Sequence, residues 1–245
     1  MARRFPRVMG LAKMCRNRNI SFKSLDPPSS LTHGIHIFHC PDAVGIVAKL
    51  SECIASRGGN ILAADVFVPE NKQVFYSRSD FVFDPVKWPR VQMEEDFLKL
   101  SQTFNAIRSV VRVPALDPKY KIAVLASKQI LSGNFLRSYG NDIINIHHGL
   151  LPSFKGGSPS KQARVFWQAF EAGVKLIGAT SHFVTEELDA GPIIEQMVER
   201  VSHRDNLQSF VQKSENLEKQ CLSKAIRSYC ELRVLPYEEN KTVVF

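Results

Sequence analysis

The sequence predicts an α/β protein made of two units in series. Three observations carry that expectation. Between 34 and 113, β-prone runs and segments with apolar residues at helical spacing follow one another in the order β-α-β-β-α-β. Beyond 120, the continuous apolar runs Lys121–Ala126 and Ile143–Ile146 read as strands covered on both faces. The length of 245 residues, with 44% hydrophobic and 23% charged side chains, has room for one large domain or two small ones and the composition of an ordinary globular chain.

That composition excludes disordered, collagen-like and coiled-coil classes. No run of 18 apolar residues is present, so no membrane-spanning helix is expected. The five cysteines, Cys15, Cys40, Cys53, Cys221 and Cys230, are odd in number and form no C-x-x-C pair, which argues against a disulfide framework or a cysteine zinc site and for a reducing compartment.

Charge is unevenly placed. The chain carries 32 basic and 24 acidic residues, net +8, but residues 1–30 hold seven basic side chains and one acid. The remaining residues are nearly balanced at +2, so the high pI gives little support to nucleic-acid binding. Arg3, Arg4, Arg7, Lys13, Arg16, Arg18 and Lys23 are interleaved with Phe5, Val8, Met9, Leu11 and serines, without an acid before Asp26. This fits an organelle transit peptide, mitochondrial (matrix) rather than chloroplast, although a plain disordered basic tail has the same composition. Pro27-Pro28-Ser29-Ser30 then reads as a linker.

The first unit spans 31–114. Gly34–Cys40 is β-prone. Pro41-Asp42 offers a helix start with Asp42 as N-cap, and Val44, Val47, Leu50, Cys53 and Ile54 recur at helical spacing until Gly58-Gly59. Asn60–Val68 and Gln73–Phe83 are strands around a turn at Glu70-Asn71-Lys72. Pro89 and Val91 open a helix carrying Phe97, Leu98, Leu100 and Phe104, and Val110–Val113 closes the unit. His36 and His39 fall on opposite strand faces and make no metal site. With C-P-D-x-x-G-I-V-A at 40–48 and Gly58-Gly59-Asn60-Ile61, this unit resembles an ACT domain. The resemblance implies a ferredoxin-like fold, a possible amino-acid effector and pairing into a homo-oligomer.

The second unit, 119–245, carries the chemistry. A strand at 121–126, a helix at 130–139 ended by Gly140-Asn141, and a strand at 143–146 form a β-α-β connection whose tip bears Asn145, His147 and His148. Ligands bind at strand tips in open α/β sheets. Alternation sends Asn145 and His147 to one side and His148 to the other, so the adjacent histidines make no zinc site. An Asn amide can donate to a developing oxyanion, and a neighbouring His can exchange a proton near neutral pH. Ile177–Val184 is a further β-prone run, followed by Asp189 in the Gly/Pro turn Asp189-Ala190-Gly191-Pro192, a fixed loop carboxylate. The segment from Asn206 to Leu235 reads as an amphipathic helix, with Leu207, Phe210, Val211, Leu217, Cys221 and Ile226 inward, followed by a strand.

Alone, Asn-x-His and Asp-Ala-Gly-Pro each also fit structural roles. In combination, Asn145-Ile146-His147, Leu150–Gly156, Gly178–Val184 and Leu188–Ile194 resemble the formyltransferases that handle 10-formyltetrahydrofolate. An ACT-like unit ahead of them narrows the resemblance to the formyltetrahydrofolate deformylase family, in a plant organellar form. It implies a Rossmann-like catalytic domain and hydrolysis of 10-formyltetrahydrofolate to formate and tetrahydrofolate, an activity of one-carbon metabolism that supplies formate to purine synthesis and is linked in plants to photorespiration. It also implies Asn145, His147 and Asp189 as catalytic residues. Gly149, Leu151, Pro152, Gly156, His182 and Gly191 become substrate-binding, with His182 packed near the site. No metal, no cofactor, no nucleic acid and no membrane is implied.

Two departures stand out. At 127 residues the catalytic domain is short, and the apparent internal deletion lies at Lys128-Gln129-Ile130, where central strands and much of the pterin wall would otherwise fall. The segment Gln162–Phe170 looks expanded by about six residues, which turns a helix face by about 120°. These departures leave an alternative, a catalytically inactive ACT-containing variant acting as an oligomerisation or regulatory subunit. A formyl transferase is disfavoured by the ACT-like front end.

Overall fold

The structure, a computed structural model, describes residues 31–118, 123–125, 131–153, 169–238 and 240–245. The basic arm at 1–30, the junction at 128–130, Gly156 and residues 162–168 of the expanded segment lie outside the described residues.

The first unit follows the expected order. It comprises β1 (Thr32–Pro41), α1 (Ile46–Ser56), β2 (Asn60–Phe67), β3 (Val74–Phe83), α2 (Arg90–Thr103) and β4 (Arg108–Arg112). The strands form one antiparallel sheet in the order β2-β3-β1-β4. Phe38, Cys40, Phe81 and Phe83 on one sheet face pack against Ile46, Leu50 and Ile54 of α1 and Met93, Phe97 and Leu100 of α2, with Trp88 between them. Each large apolar side chain so buried contributes about 2 kcal/mol.

Two local expectations need correction. Asp42 does not cap α1. Its backbone N–H still donates to the Gln73 carbonyl at 2.9 Å, so the chain there has not left the strand pairing. The helix starts behind Gly45, at φ 90, without a side-chain cap. Leu98 does not join the core. Met93, Phe97 and Leu100 occupy the inward stripe of α2, and Leu98 falls beside it, 57% exposed.

The second unit holds β5 (Ala123–Leu125), α3 (Gly133–Tyr139), β6 (Ile143–His147), β7 (Leu176–Phe183) and β8 (Ile193–Arg200), then α4 (Leu207–Cys230) and the hairpin β9 (Val234–Tyr237) and β10 (Lys241–Val244). Its sheet runs β5-β6-β7-β8, parallel between β5 and β6 and antiparallel beyond. The β-α-β connection is therefore present, with Ser132 capping α3 and Gly140, at φ 66, ending it. Coverage of β5 on both faces is not observed. It is an outer strand whose described partner is β6, and Val124 is 42% exposed.

α4 begins at Asn206, whose side-chain oxygen accepts from Ser209 N–H at 2.8 Å. Phe210, Leu217 and Cys221 press against Ile146, Ile177 and Ala179 of the sheet. Ser214 and Ala225 complete the buried stripe, while Leu207, Val211 and Ile226 stay half-buried at its flanks.

The C-terminal segment returns to the first unit. Leu232 and Leu235, with Tyr237 and Phe245 beside them, cover Ile35, Ile37 and Tyr76 on the sheet face away from α1 and α2. Arg78, 2% exposed on that face, donates to the Glu231 carbonyl at the C-terminal end of α4 at 2.9 Å and also pairs with Asp80. A cation at that end complements the helix dipole. His36 and His39 part as alternation requires, His36 stacking on Phe97 and His39 on Tyr76.

Candidate active site

Register builds the site. In the β6–β7 pair, Asn145 lies opposite His182 and His147 opposite Thr180. Opposed residues of antiparallel strands project to the same face, so these four side chains share one surface at the tip of β6. Ile144, Ile146 and His148 point to the other face. There His148 Nδ1 meets Glu218 Oε1 of α4 at 2.6 Å. The expected separation of the two adjacent histidines is therefore observed.

Asp189 arrives from the loop between β7 and β8. Its backbone is left-handed, φ 54, a conformation that Asp tolerates better than most residues. Two hydrogen bonds tether the loop roots, Phe183 N–H to Pro192 carbonyl at 2.9 Å and Val184 N–H to Ile143 carbonyl at 2.8 Å. The carboxylate is 8% exposed, with Oδ2 3.4 Å from His147 Nδ1 and Oδ1 3.8 Å from His182 Nε2. One carboxylate thus stands between two imidazoles, with Asn145 alongside.

Burial pushes the His182 pKa below the usual histidine value. The Phe183 carbonyl and Asp189 oppose that shift, and His147 adds to it. The ring is accordingly neutral at physiological pH. Its Nδ1 is 2.8 Å from the Phe183 carbonyl and its Nε2 is 3.1 Å from Asn145 Nδ2.

The loop after β6 is clamped to the sheet. Thr180 Oγ1 donates to the Gly149 carbonyl at 2.7 Å and accepts from Leu151 N–H at 3.0 Å. Gln196 of β8, opposite Thr180, donates to the Leu151 carbonyl at 2.9 Å and to Thr180 Oγ1 at 3.0 Å. Leu150 lies over Gly178, where a Cβ would stand 2.3 Å from Leu150 Cγ.

Of the residues singled out by sequence, Asn145, His147, His182 and Asp189 are brought together. Gly149 and Leu151 present backbone groups to the clamp, and the Leu151 side chain is buried. Pro152 is exposed beyond it. Gly191 is buried beneath Asp189 against the end of β7. Thr180 and Gln196 escaped the sequence reading. Strand alternation back from His182 reaches Thr180, whereas Gln196 is signalled only by the β7–β8 register. Among the described residues no group of three or more His, Cys, Asp or Glu could hold a metal ion, and no helix is long and apolar enough to cross a membrane.

Comparison with known proteins places the chain in a family. Residues 89–226 match the family model described as formyl transferase, which begins at the start of α2 and runs nearly to the end of α4. The chain therefore contains a formyltransferase-type domain, whose match takes in α2 and β4 as well as most of the second unit. The mitochondrial formyltetrahydrofolate deformylase 1 of Arabidopsis thaliana is 53% identical over 322 aligned positions, covering 98% of either chain. Mitochondrial deformylase 2 of the same plant is 55% identical over 303 positions, covering 91% of this chain and 90% of that one. A crystal structure of a formyltetrahydrofolate deformylase from Pseudomonas syringae superposes with a TM-score of 0.75 at 30% identity, over 90% of this chain and 96% of that one. The chain belongs to the formyltetrahydrofolate deformylase family.

Proposed function

We propose that this chain hydrolyses 10-formyltetrahydrofolate to formate and tetrahydrofolate at the tip of β6. The observation that carries the reading is the convergence of Asn145, His147 and Asp189 on one sheet face. The formyl oxygen accepts from the Asn145 amide, which stabilises the oxyanion as water adds to the formyl carbon. Asp189 orients His147 through Nδ1 and takes up a proton from the attacking water. His147, with Nδ1 turned to Asp189, uses Nε2 to hold the intermediate and to protonate the departing N10. The C–N10 bond breaks, one water is consumed, and formate and tetrahydrofolate leave. The loop at 149–152, clamped by Thr180 and Gln196, borders the substrate together with His182 and Gly191.

The same reading assigns 31–114 to an ACT-like domain, supported by the sheet order β2-β3-β1-β4, with a small amino-acid effector and a homo-oligomeric state. It places the protein in mitochondria, supported by the printed names of both Arabidopsis relatives and by the arginine-rich arm. An internal shortening near 128–130 is supported by an alignment of 322 positions against 245 residues and by the outer place of β5.

The test is formate release from 10-formyltetrahydrofolate by the full chain, beside Asn145→Ala and His147→Ala. Turnover that falls by about 100-fold or more in either variant supports the reading. A folded chain without turnover overturns it in favour of a non-catalytic, ACT-containing subunit.

A further inference from the structure

We propose that His182 is a positioning residue whose imidazole sets the orientation of the Asn145 amide, so that an N–H and not the carbonyl oxygen is directed to the formyl group. The inference rests on the catalytic role just given to Asn145.

Two hydrogen bonds of the His182 ring fix its tautomer and the side-chain orientation of Asn145. His182 Nδ1 is 2.8 Å from the Phe183 carbonyl oxygen, which can only accept, so Nδ1 carries the proton. In the neutral ring Nε2 then bears a lone pair. Nε2 lies 3.1 Å from the Asn145 side chain, and only the amide nitrogen can stand there as a donor. With the amide turned over, two acceptors would face each other. One of the two amide hydrogens is thereby committed to His182 and the second is left to donate elsewhere. Asn145 Oδ1 is buried with no hydrogen-bond partner among the described residues, so no bond to that oxygen competes for the orientation. Of the other titratable groups facing the ring, Asp189 Oδ1 lies 3.8 Å from Nε2, beyond hydrogen-bond distance, and His147 acts on the ring through its charge. His182 is 2% exposed, which keeps water from substituting for it.

The experiment compares His182→Phe, which keeps a packed ring and loses the acceptor, with His182→Gln, which loses the ring and keeps an amide oxygen near the place of Nε2. The expected result is a kcat lowered about 100-fold in His182→Phe with KM little changed, as for loss of an oxyanion donor. His182→Gln recovers most of that loss, and Asn145→Ala/His182→Phe is no worse than Asn145→Ala alone. If His182→Phe works as well as the parent, or better than His182→Gln, the residue merely packs and the proposal is overturned. A second readout does not need turnover. In the 15N spectrum of the ligand-free full chain, the His182 ring is expected as the Nδ1–H form. Finding Nε2–H overturns the proposal. An inactive chain showing Nδ1–H overturns the functional reading and leaves the positioning geometry supported.

Discussion

Gly191 lies so close to the end of β7 that a Cβ built on it would stand 1.8 Å from the Phe183 carbonyl oxygen. No side chain fits there, so glycine lets the loop fold under the strand. Two residues earlier in the same loop, Asp189 reaches the imidazoles of His147 and His182. A backbone contact remote from solvent thereby sets the place of the carboxylate proposed to act in catalysis.

Gly191→Ala is expected to push the loop away from β7 and to carry Asp189 with it. Small misplacement of a positioned group costs orders of magnitude in rate, so kcat should fall about 100-fold, close to the loss in Asp189→Ala. Steady-state kinetics of both variants check this. A fully active Gly191→Ala enzyme would show that the loop can shift without moving the carboxylate.

At Gly178 the obstruction is a side chain. Gly178→Ala drives a methyl into Leu150, and such overpacking costs about 1–3 kcal/mol. Urea denaturation should show that loss, and Gly178→Ala/Leu150→Ala should regain part of it. If the double variant is less stable than Gly178→Ala, contact with Leu150 is not the cause.

Arg78→Met removes a cation that is 2% exposed and leaves both Asp80 and the Glu231 carbonyl without it. Breaking one side of a buried ion pair costs about 3–5 kcal/mol. Thermal unfolding is expected to show a large drop, together with earlier proteolysis around 231–245, where the hairpin leaves the first sheet. An unchanged midpoint would contradict this.

His36 gives stability an acid limb. Burial pushes its pKa down from the usual histidine value of 6.5 to about 3. Between those values the unfolded chain binds a proton that the native ring does not, so stability rises with pH across the window and is lost as pH falls. The slope from this one group is about 1.3 kcal/mol per pH unit at its steepest. His36→Phe keeps the stack on Phe97 and removes the titration. The difference in stability between pH 7 and pH 4.5 should be smaller in the variant, and an equal difference would assign the acid limb to other groups.

Much of the molecule is legible in its residues. Apolar periodicity and turn residues mark the βαββαβ order, because those patterns reflect local backbone preference and one-sided burial. Alternation along β6 already separates Asn145 and His147 from His148. Asp189 could be singled out as a loop carboxylate, but its approach to His147 could not, since it depends on how closely the loop packs under Phe183. The pairing of Asn145 with His182 depends on the β6–β7 register, which sets residues 37 positions apart face to face.

The sequence by itself determined the secondary-structure order, the reactive residue types and the strand face that bears them, because each is a property of neighbours along the chain. Only the tertiary structure decided that Thr180 and Gln196 clamp the loop after β6, that β5 lies at the edge of the sheet formed by the described residues, and that the C-terminal hairpin covers the first sheet around Arg78. Those outcomes follow from which apolar faces and unpaired polar groups find partners far away in sequence, and no local pattern records that choice.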